Sequence, residues 1–595
     1  MLKRIGMIGV ALCCLAVPCV AKQYCVDPQN GDDAAVGSRT APWKTMAPLN
    51  RTELTAGDSV LLRPGKMVGS LAPKMQGTKE NPVVVTFEPG VYHWQAEGLN
   101  EEKMMISNTN DAPDMPKRVM WDFHGAKHVR VQGENALLLC RGRMMEIHME
   151  ECEHISFEGL SLDYARPTVS EYTVLEAGEK EVVFRIHKDS KYRIDNGKLI
   201  WVGDGWEEEA RNGFVQQYTE KPLHVFNAGG NKGIWGKATE LAPGKVKMEF
   251  GDKSNPGFVK GATYQFRHVR REYASVFCNK SAHIAYKGVS FHFMHGMGVL
   301  SQFSHDLSFK GVTVAPRKGS GRTCSAWADI LHFSGCYGQI SVDKCLLSAS
   351  HDDAINVHGT HLLLTEIRDR RHVVLTFKHN QTWGFEAYRA GDEVEFINSA
   401  SLLPHGGINR VTEATLSPDG RRMELTLEND IPETVSVNEW CLENVTATPA
   451  VSVKKSRIQL IPTRAFLLST RRPIVVEDCT FIGTHHAAIL VADDARSWYE
   501  SGMVRELTIK GNTFNECGEP VIKVHPENRS FDAPVHTGIR ILNNTFNLMG
   551  RGAVGLKSAG DVLIKGNKIR AKHDGDFLLQ EHCEKVRVEN NAVTR

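Results

Sequence analysis

Metal-type cysteine pairs are missing from this chain, and so are a sizeable net charge, a long membrane-type apolar run and clear helical periodicity. Of its fourteen cysteines, three fall within the first 21 residues and the other eleven are scattered, without the tight pairing that metal sites use. A disulfide framework serves small exported domains, so in a chain of 595 residues these cysteines read mostly as buried thiols. Basic and acidic residues number 71 and 70. That balance offers no basic face and excludes nucleic acid and anionic membrane surfaces as partners. A neutral ligand such as a sugar is compatible with it.

The one pronounced apolar run, "IGMIGVALCCLAVPCV", follows Lys3 and Arg4 and ends in the small residues of "CVA" at Ala21. It is too short and too sharply ended to span a bilayer. Its layout is that of a secretion signal, so residues 1–21 are expected to be cleaved and the protein exported, to the periplasm or the extracellular space. Without that segment the chain carries 69 basic and 70 acidic residues, a charge of about −1, and eleven cysteines. The mature protein is expected to be soluble, with no membrane partner.

What the chain does have is repetition. "LTIKGNTF", "RILNNTF", "VLIKGNKI" and "VRVENNAV" write one element four times: an alternating strand, an asparagine, a second short strand. The asparagines are Asn512, Asn544, Asn567 and Asn591, with "IVVEDCTF" reading as a fifth copy that has Asp478 there. Upstream, "FEGLSLDY", "YKGVSFHF" and "FKGVTVAP" keep the rhythm with glycine, and Gly288 to Gly311 is 23 residues. A period in the low twenties with one fixed turn residue is a solenoid signature. Short β-branched strands make it an all-β protein, a right-handed parallel β-helix. Asparagines stacked at one corner hydrogen-bond along the coil and tolerate its left-handed turn.

Two stretches break the rhythm with hairpins and turn dipeptides, at 166–275 and 363–448, and read as inserted antiparallel, barrel-like domains. The expected layout is therefore a signal at 1–21, an N-terminal β-helix part at 22–165, the first insert at 166–275, catalytic coils at 276–362, the second insert at 363–448 and C-terminal coils at 449–595.

The chemistry is expected around "SASHDDAINVHG". Asp329 lies 23 residues before Asp352, about one coil, which stacks the two side chains on one face. Asp353 can join them only if the backbone bends between the two aspartates. Three carboxylates converging on a cleft suit a glycosidase, which needs one acid and one carboxylate across the scissile bond, with like charges raising the pKa of at least one of them. The lyase chemistry found on β-helices usually needs a lysine or arginine base, and residues 348–359 contain none. His332, His351 and His358 fall near the same coil phase without metal-type spacing, so no metal is expected. Trp327 is a candidate for stacking on a sugar face or for packing a sheet. Downstream, Arg464 precedes an apolar strand, and Asp493, Asp494, Trp498, Tyr499 and Glu500 form an acidic-aromatic group suited to a pyranose.

"ADILHFSG", "SHDDAINVHGT", "TRAFLLSTRRPIVVEDCTF" and "DDARSWYESG", in this order within an interrupted β-helix, resemble glycoside hydrolase family 110, the exo-acting α-1,3-galactosidases that remove the terminal galactose of blood group B and related structures. The resemblance implies a β-helix with two β-barrel-like insertions, an inverting reaction without cofactor, and a glycan partner ending in α-galactose. It implies Asp352 as general acid, with Asp329 and Asp353 positioning and deprotonating water. Asn356, His358, Arg464, Trp498 and Glu500 become candidate galactose contacts. A uronic-acid hydrolase or polysaccharide lyase, and a non-catalytic glycan-binding β-helix, are the alternative readings. Whether the chain forms a homodimer is left open.

Overall fold

The computed structural model describes residues 21–211, 213–220, 223–227 and 236–595. All but the last residue of the expected secretion signal lies outside them. Three long parallel sheets, of 16, 13 and 13 strands, run the length of the molecule and form the faces of a parallel β-helix. One hydrophobic core threads the whole spiral, from Val26 to Ala571. Aromatic side chains stack along it in register, as in Phe481, Phe514 and Phe546, whose ring centroids are 4.8 and 4.9 Å apart.

The turn residues explain the repeat. Asn544 accepts from the backbone and side-chain amides of Asn512, at 2.9 and 3.0 Å, through its Oδ1. Asn567 does the same for Asn544, and Asn591 for Asn567. Each side-chain amide also donates to a carbonyl of the preceding coil, so the buried corner leaves no polar atom unmet. The fifth copy sits one residue off the sequence alignment. Thr480 pairs with Thr513, which places Asp478 opposite Gly511 in the left-handed turn, at φ 55°. Cys479 holds the ladder position, its amide donating to Asn512 Oδ1 at 2.8 Å. Cys345 and Cys152 occupy corners of the same kind, next to Ser456 and Ser281. A small side chain fits there, which accounts for several of the ten fully buried thiols; all eleven described cysteines are free.

Neither insert interrupts the spiral. Glu153–Glu158 pairs directly with Ala282–Lys287 across the first insert, and Tyr337–Asp343 with Ala450–Lys454 across the second. The first insert is a seven-stranded antiparallel sheet with a separate three-stranded one and has its own core around Tyr172, Trp201 and Tyr264. The second closes as a six-stranded barrel around Leu375, Phe396 and Leu425. Its entry strand, Leu362–Ile367, follows at once on Ile355–Thr360 of the third sheet. The barrel therefore rises from the rim of the coil that carries Asp352 and Asp353. Among the described residues no helix is long and apolar enough to cross a membrane.

Candidate active site

Leu331–Ser334 and Ile355–Thr360 are neighbours in the third sheet, with Leu331 opposite Ile355, and Ala326 bridges Ser350. Both pairings give a coil of 24 residues here, not 23. Asp353, rather than Asp352, therefore lies in register below Asp329, and the Ile330 amide donates to the Asp353 carbonyl at 2.9 Å. The chain bends through residues 350–353, so Asp352 is freed from the strand alternation and reaches the same pocket. All three carboxylates line a cavity of about 360 Å³ together with Asn108, Arg271, Asn356, Arg464, Trp498 and Glu500.

Each carboxylate has a different partner. Asp352 accepts from Arg271 Nη2 at 2.7 Å. Asp353 accepts from Thr463 Oγ1 and Arg464 Nη2, both at 2.6 Å, and from the Arg464 amide at 3.2 Å. Asp329 Oδ2 faces His332 Nδ1 at 2.8 Å. Burial works against an ionised Asp352, but Arg271, Arg464 and Arg267 outweigh it and hold that carboxyl below its ordinary range. Burial drives Asp329 up to about 8, with the Asp352 charge adding to it. Asp353 is also pushed upward by burial, against the pull of Arg464. Three carboxyls this close keep at least one proton among them, and burial raises the proton affinity of both Asp329 and Asp353.

The histidines say where that proton rests. His358 Nδ1 faces the Gly359 carbonyl at 2.6 Å, so this nitrogen must carry the hydrogen and Nε2 must accept. His332 Nε2 lies 3.0 Å from His358 Nε2 and is therefore the donor. Burial lowers both rings, His332 to about 4, so both are neutral near pH 7. A neutral His332 that donates through Nε2 can only accept at Nδ1. The hydrogen in the remaining contact belongs to Asp329.

Family models describe both inserts and the C-terminal coils. "GLAA-B beta-barrel domain I" matches residues 170–258, "GLAA-B beta-barrel domain II" matches 372–440, and "Right handed beta helix region" matches 451–595. Alpha-1,3-galactosidase A of Akkermansia muciniphila is 38% identical over 94% of this chain and 93% of its own length. The enzyme of the same name from Bacteroides thetaiotaomicron is 34% identical over 89% and 94%. The chain belongs to glycoside hydrolase family 110. It is a glycosidase on a right-handed parallel β-helix. Among solved structures, a family 28 exopolygalacturonase of Yersinia enterocolitica aligns with 96% of this chain and 78% of its own, at 7% identity and a TM-score of 0.42.

The family 110 chain brings four of the five other expected contacts, Asn356, Arg464, Trp498 and Glu500, to the same pocket. Asn356 is buried, and among the described residues nothing donates to its Oδ1. Glu500 accepts from Asn108 Nδ2 at 2.8 Å and lies 3.6 Å from His358. Burial is outweighed there by His358, His332 and Asn108, which hold Glu500 below its usual range. Trp498 is 37% exposed at the mouth, its ring 4.2 Å from that of His379 on the barrel insert. Asp494 lines the pocket but spends its oxygens on the amides of residues 496–499. His358 is fully enclosed and meets its neighbours in the proton chain rather than the cavity wall.

Burial decides the remaining candidates. Of the two readings open for Trp327, packing holds: it is 1% exposed, with Arg267 over its ring at 4.1 Å. His351 is enclosed away from the pocket lining, and Asp493 pairs with buried His361. Three contributors escaped the sequence reading: Arg271 at the exit of the first insert, Asn108 from a loop far upstream, and Thr463. Only Thr463 carried a signal, lying beside Arg464. Both arginines in the site have their cationic form favoured by the aspartates they face.

Proposed function

We propose that this protein is an exported, exo-acting, inverting α-1,3-galactosidase that releases terminal α-1,3-linked galactose from glycans. The observation carrying this reading is the gathering of Asp329, Asp352 and Asp353 around one cavity of about 360 Å³, a volume at the small end for ligand sites and suited to a single terminal sugar. Membership of family 110 supports the substrate class, and the sequence of residues 1–21 supports export to the periplasm or the extracellular space.

The trio works with one proton. In the free site Asp329 holds it, while Asp352, the expected acid, is a carboxylate beside Arg271. A sugar seated over Asp352 excludes its water and raises its proton affinity, and the Asp329 proton one coil away is the nearest supply. Asp352 then protonates the leaving oxygen, and Asp353 with Asp329 draws the proton from the attacking water. Asn356 Oδ1 and Glu500 accept sugar hydroxyls, Arg464 donates to them, and Trp498 covers the apolar face.

Incubation with α-1,3-, α-1,4- and α-1,6-galactosides, with and without a fucose branch, tests the substrate. Free galactose from the α-1,3 set alone is the expected result, with β-galactose as the first anomer seen by NMR. Release from the middle of a chain, α-galactose as first product, or an unsaturated product absorbing in the ultraviolet overturns the reading.

The shared proton also fixes a pH dependence. Above the Asp329 value of about 8 Asp329 loses the hydrogen it would pass to Asp352, so kcat/KM should fall as pH rises through that value, by about tenfold per pH unit for a single group. A profile flat from pH 7 to pH 10 would show that the proton comes from elsewhere.

A further inference from the structure

Three coils before the active-site strands, the same sheet carries a second convergence of ligating atoms. Glu102 ends Asn100–Glu102, the antiparallel strand closing this sheet; Asp122 and His124 come from Lys117–His124, and His148 from Met145–Glu150. His124 Nε2 lies 2.9 Å from Asp122 Oδ1 and 3.0 Å from Glu102 Oε1. His148 Nδ1 lies 3.0 Å from the same Asp122 oxygen and 3.6 Å from Glu102 Oε2. One atom from each of the four residues lies within 4.8 Å of every other, at the edge of a cavity of about 410 Å³.

We propose that these four residues form a binding site for one divalent transition-metal ion of the zinc type. Hydrogen bonding alone serves the group poorly. The single N–H of His124 Nε2 faces two carboxylates, at 2.9 and 3.0 Å, and can aim at only one. Ligands at ~2.0–2.1 Å from a tetrahedral zinc stand ~3.3 Å apart, close to the spacings seen. Asp122 is held ready: Asn100 Nδ2 occupies its other oxygen at 3.0 Å, turning Oδ1 into the cluster. His148 is 2% exposed and its Nε2 has no hydrogen-bond partner among the described residues. Glu150 lies 3.7 Å from that nitrogen, itself fixed by Asn279 at 2.9 and 3.1 Å. A carboxylate behind a ligating imidazole is the usual supporting arrangement at zinc. Two imidazoles with two carboxylates favour a borderline metal over calcium or magnesium, which take oxygen ligands.

The ion would tie the terminal antiparallel strand to the sheet. That strand leads into the loop whose Asn108 holds Glu500 in the active site, so the site anchors one wall of the pocket without touching substrate.

The test uses untagged full-length protein, stripped with a chelator and titrated with zinc chloride by calorimetry and thermal unfolding. One equivalent should bind at micromolar or tighter Kd and raise Tm by about 2 °C or more. Glu102→Gln and His124→Ala alter the two ligands nearest solvent and should leave the circular dichroism unchanged while weakening zinc binding at least tenfold. His283→Ala, in the other such cluster among the described residues, should leave binding intact. Absence of stoichiometric zinc in the wild type, undiminished binding in both ligand variants, or loss of binding in His283→Ala overturns the proposal. Because the readouts are binding and unfolding, they remain valid whatever glycan the enzyme cleaves.

Discussion

Asp352→Asn should lower galactose release by ~10²–10⁴-fold, the usual cost of removing a catalytic acid or base, while leaving the fold unchanged. An asparagine amide has the size of the carboxyl, and its oxygen still accepts from Arg271 Nη2, which stands 2.7 Å from Asp352 Oδ2. It cannot take up a proton and deliver it to a leaving oxygen. The loss should fall on kcat, with KM nearly unchanged, since the contacts of Asn356, Arg464 and Trp498 persist. A second effect separates this account from a merely structural one. The Asp352 charge helps raise Asp329 to about 8. Its removal lets Asp329 ionise more readily, so the basic limb of any residual activity should move to lower pH. Retention of more than a tenth of the wild-type kcat, with unchanged circular dichroism and Tm, would remove Asp352 from the chemistry.

The spiral was legible in the sequence because it is periodic. Asparagines at Asn512, Asn544 and Asn567 recur where a buried turn needs both an acceptor and two donors, and no larger residue meets that demand. The carboxylate trio was legible for the same reason, being separated by one coil. What periodicity could not convey was the coil length at that level. A 24-residue turn sets Asp353 below Asp329, and the bend after Ser350 then turns Asp352 toward the pocket. The residues contributed from outside the coils left no periodic trace. Asn108 meets Glu500 across 392 positions and Arg271 meets Asp352 across 81, distances set by how the inserts return to the spiral. Trp327 shows the converse limit: its place near the aspartates left a sugar platform and core packing both open in the sequence, and only its burial, at 1% exposed, decides for packing.

Arg464 supplies the second large effect. Asp353 is 1% exposed, and its Oδ2 depends on Arg464 Nη2 at 2.6 Å. Arg464→Met keeps much of the apolar stem and removes the cation. Breaking a buried pair in this way costs about 3–5 kcal/mol when the remaining charge stays ionised. The carboxyl can escape part of that cost by keeping a proton, and this gives the effect a sign with pH. Burial already raises Asp353 above its unfolded value, and loss of the arginine raises it further. A native state that binds more protons than the unfolded one loses stability as pH rises, by up to ~1.4 kcal/mol per unit for one group. The gap between variant and wild type should therefore be small near pH 5 and large near pH 8. Activity at pH 7 should drop by about 10²-fold, because a protonated Asp353 no longer accepts a hydrogen from water. Arg464→Lys, which restores the charge without the planar fork, should recover most of the stability and little of the rate. Urea midpoints for the three proteins at pH 5 and pH 8, set beside kcat at pH 7, provide the measurement. If Arg464→Met matched the wild type at pH 8, the buried carboxylate would not need its cation, and the shared-proton reading of the trio would fail with it.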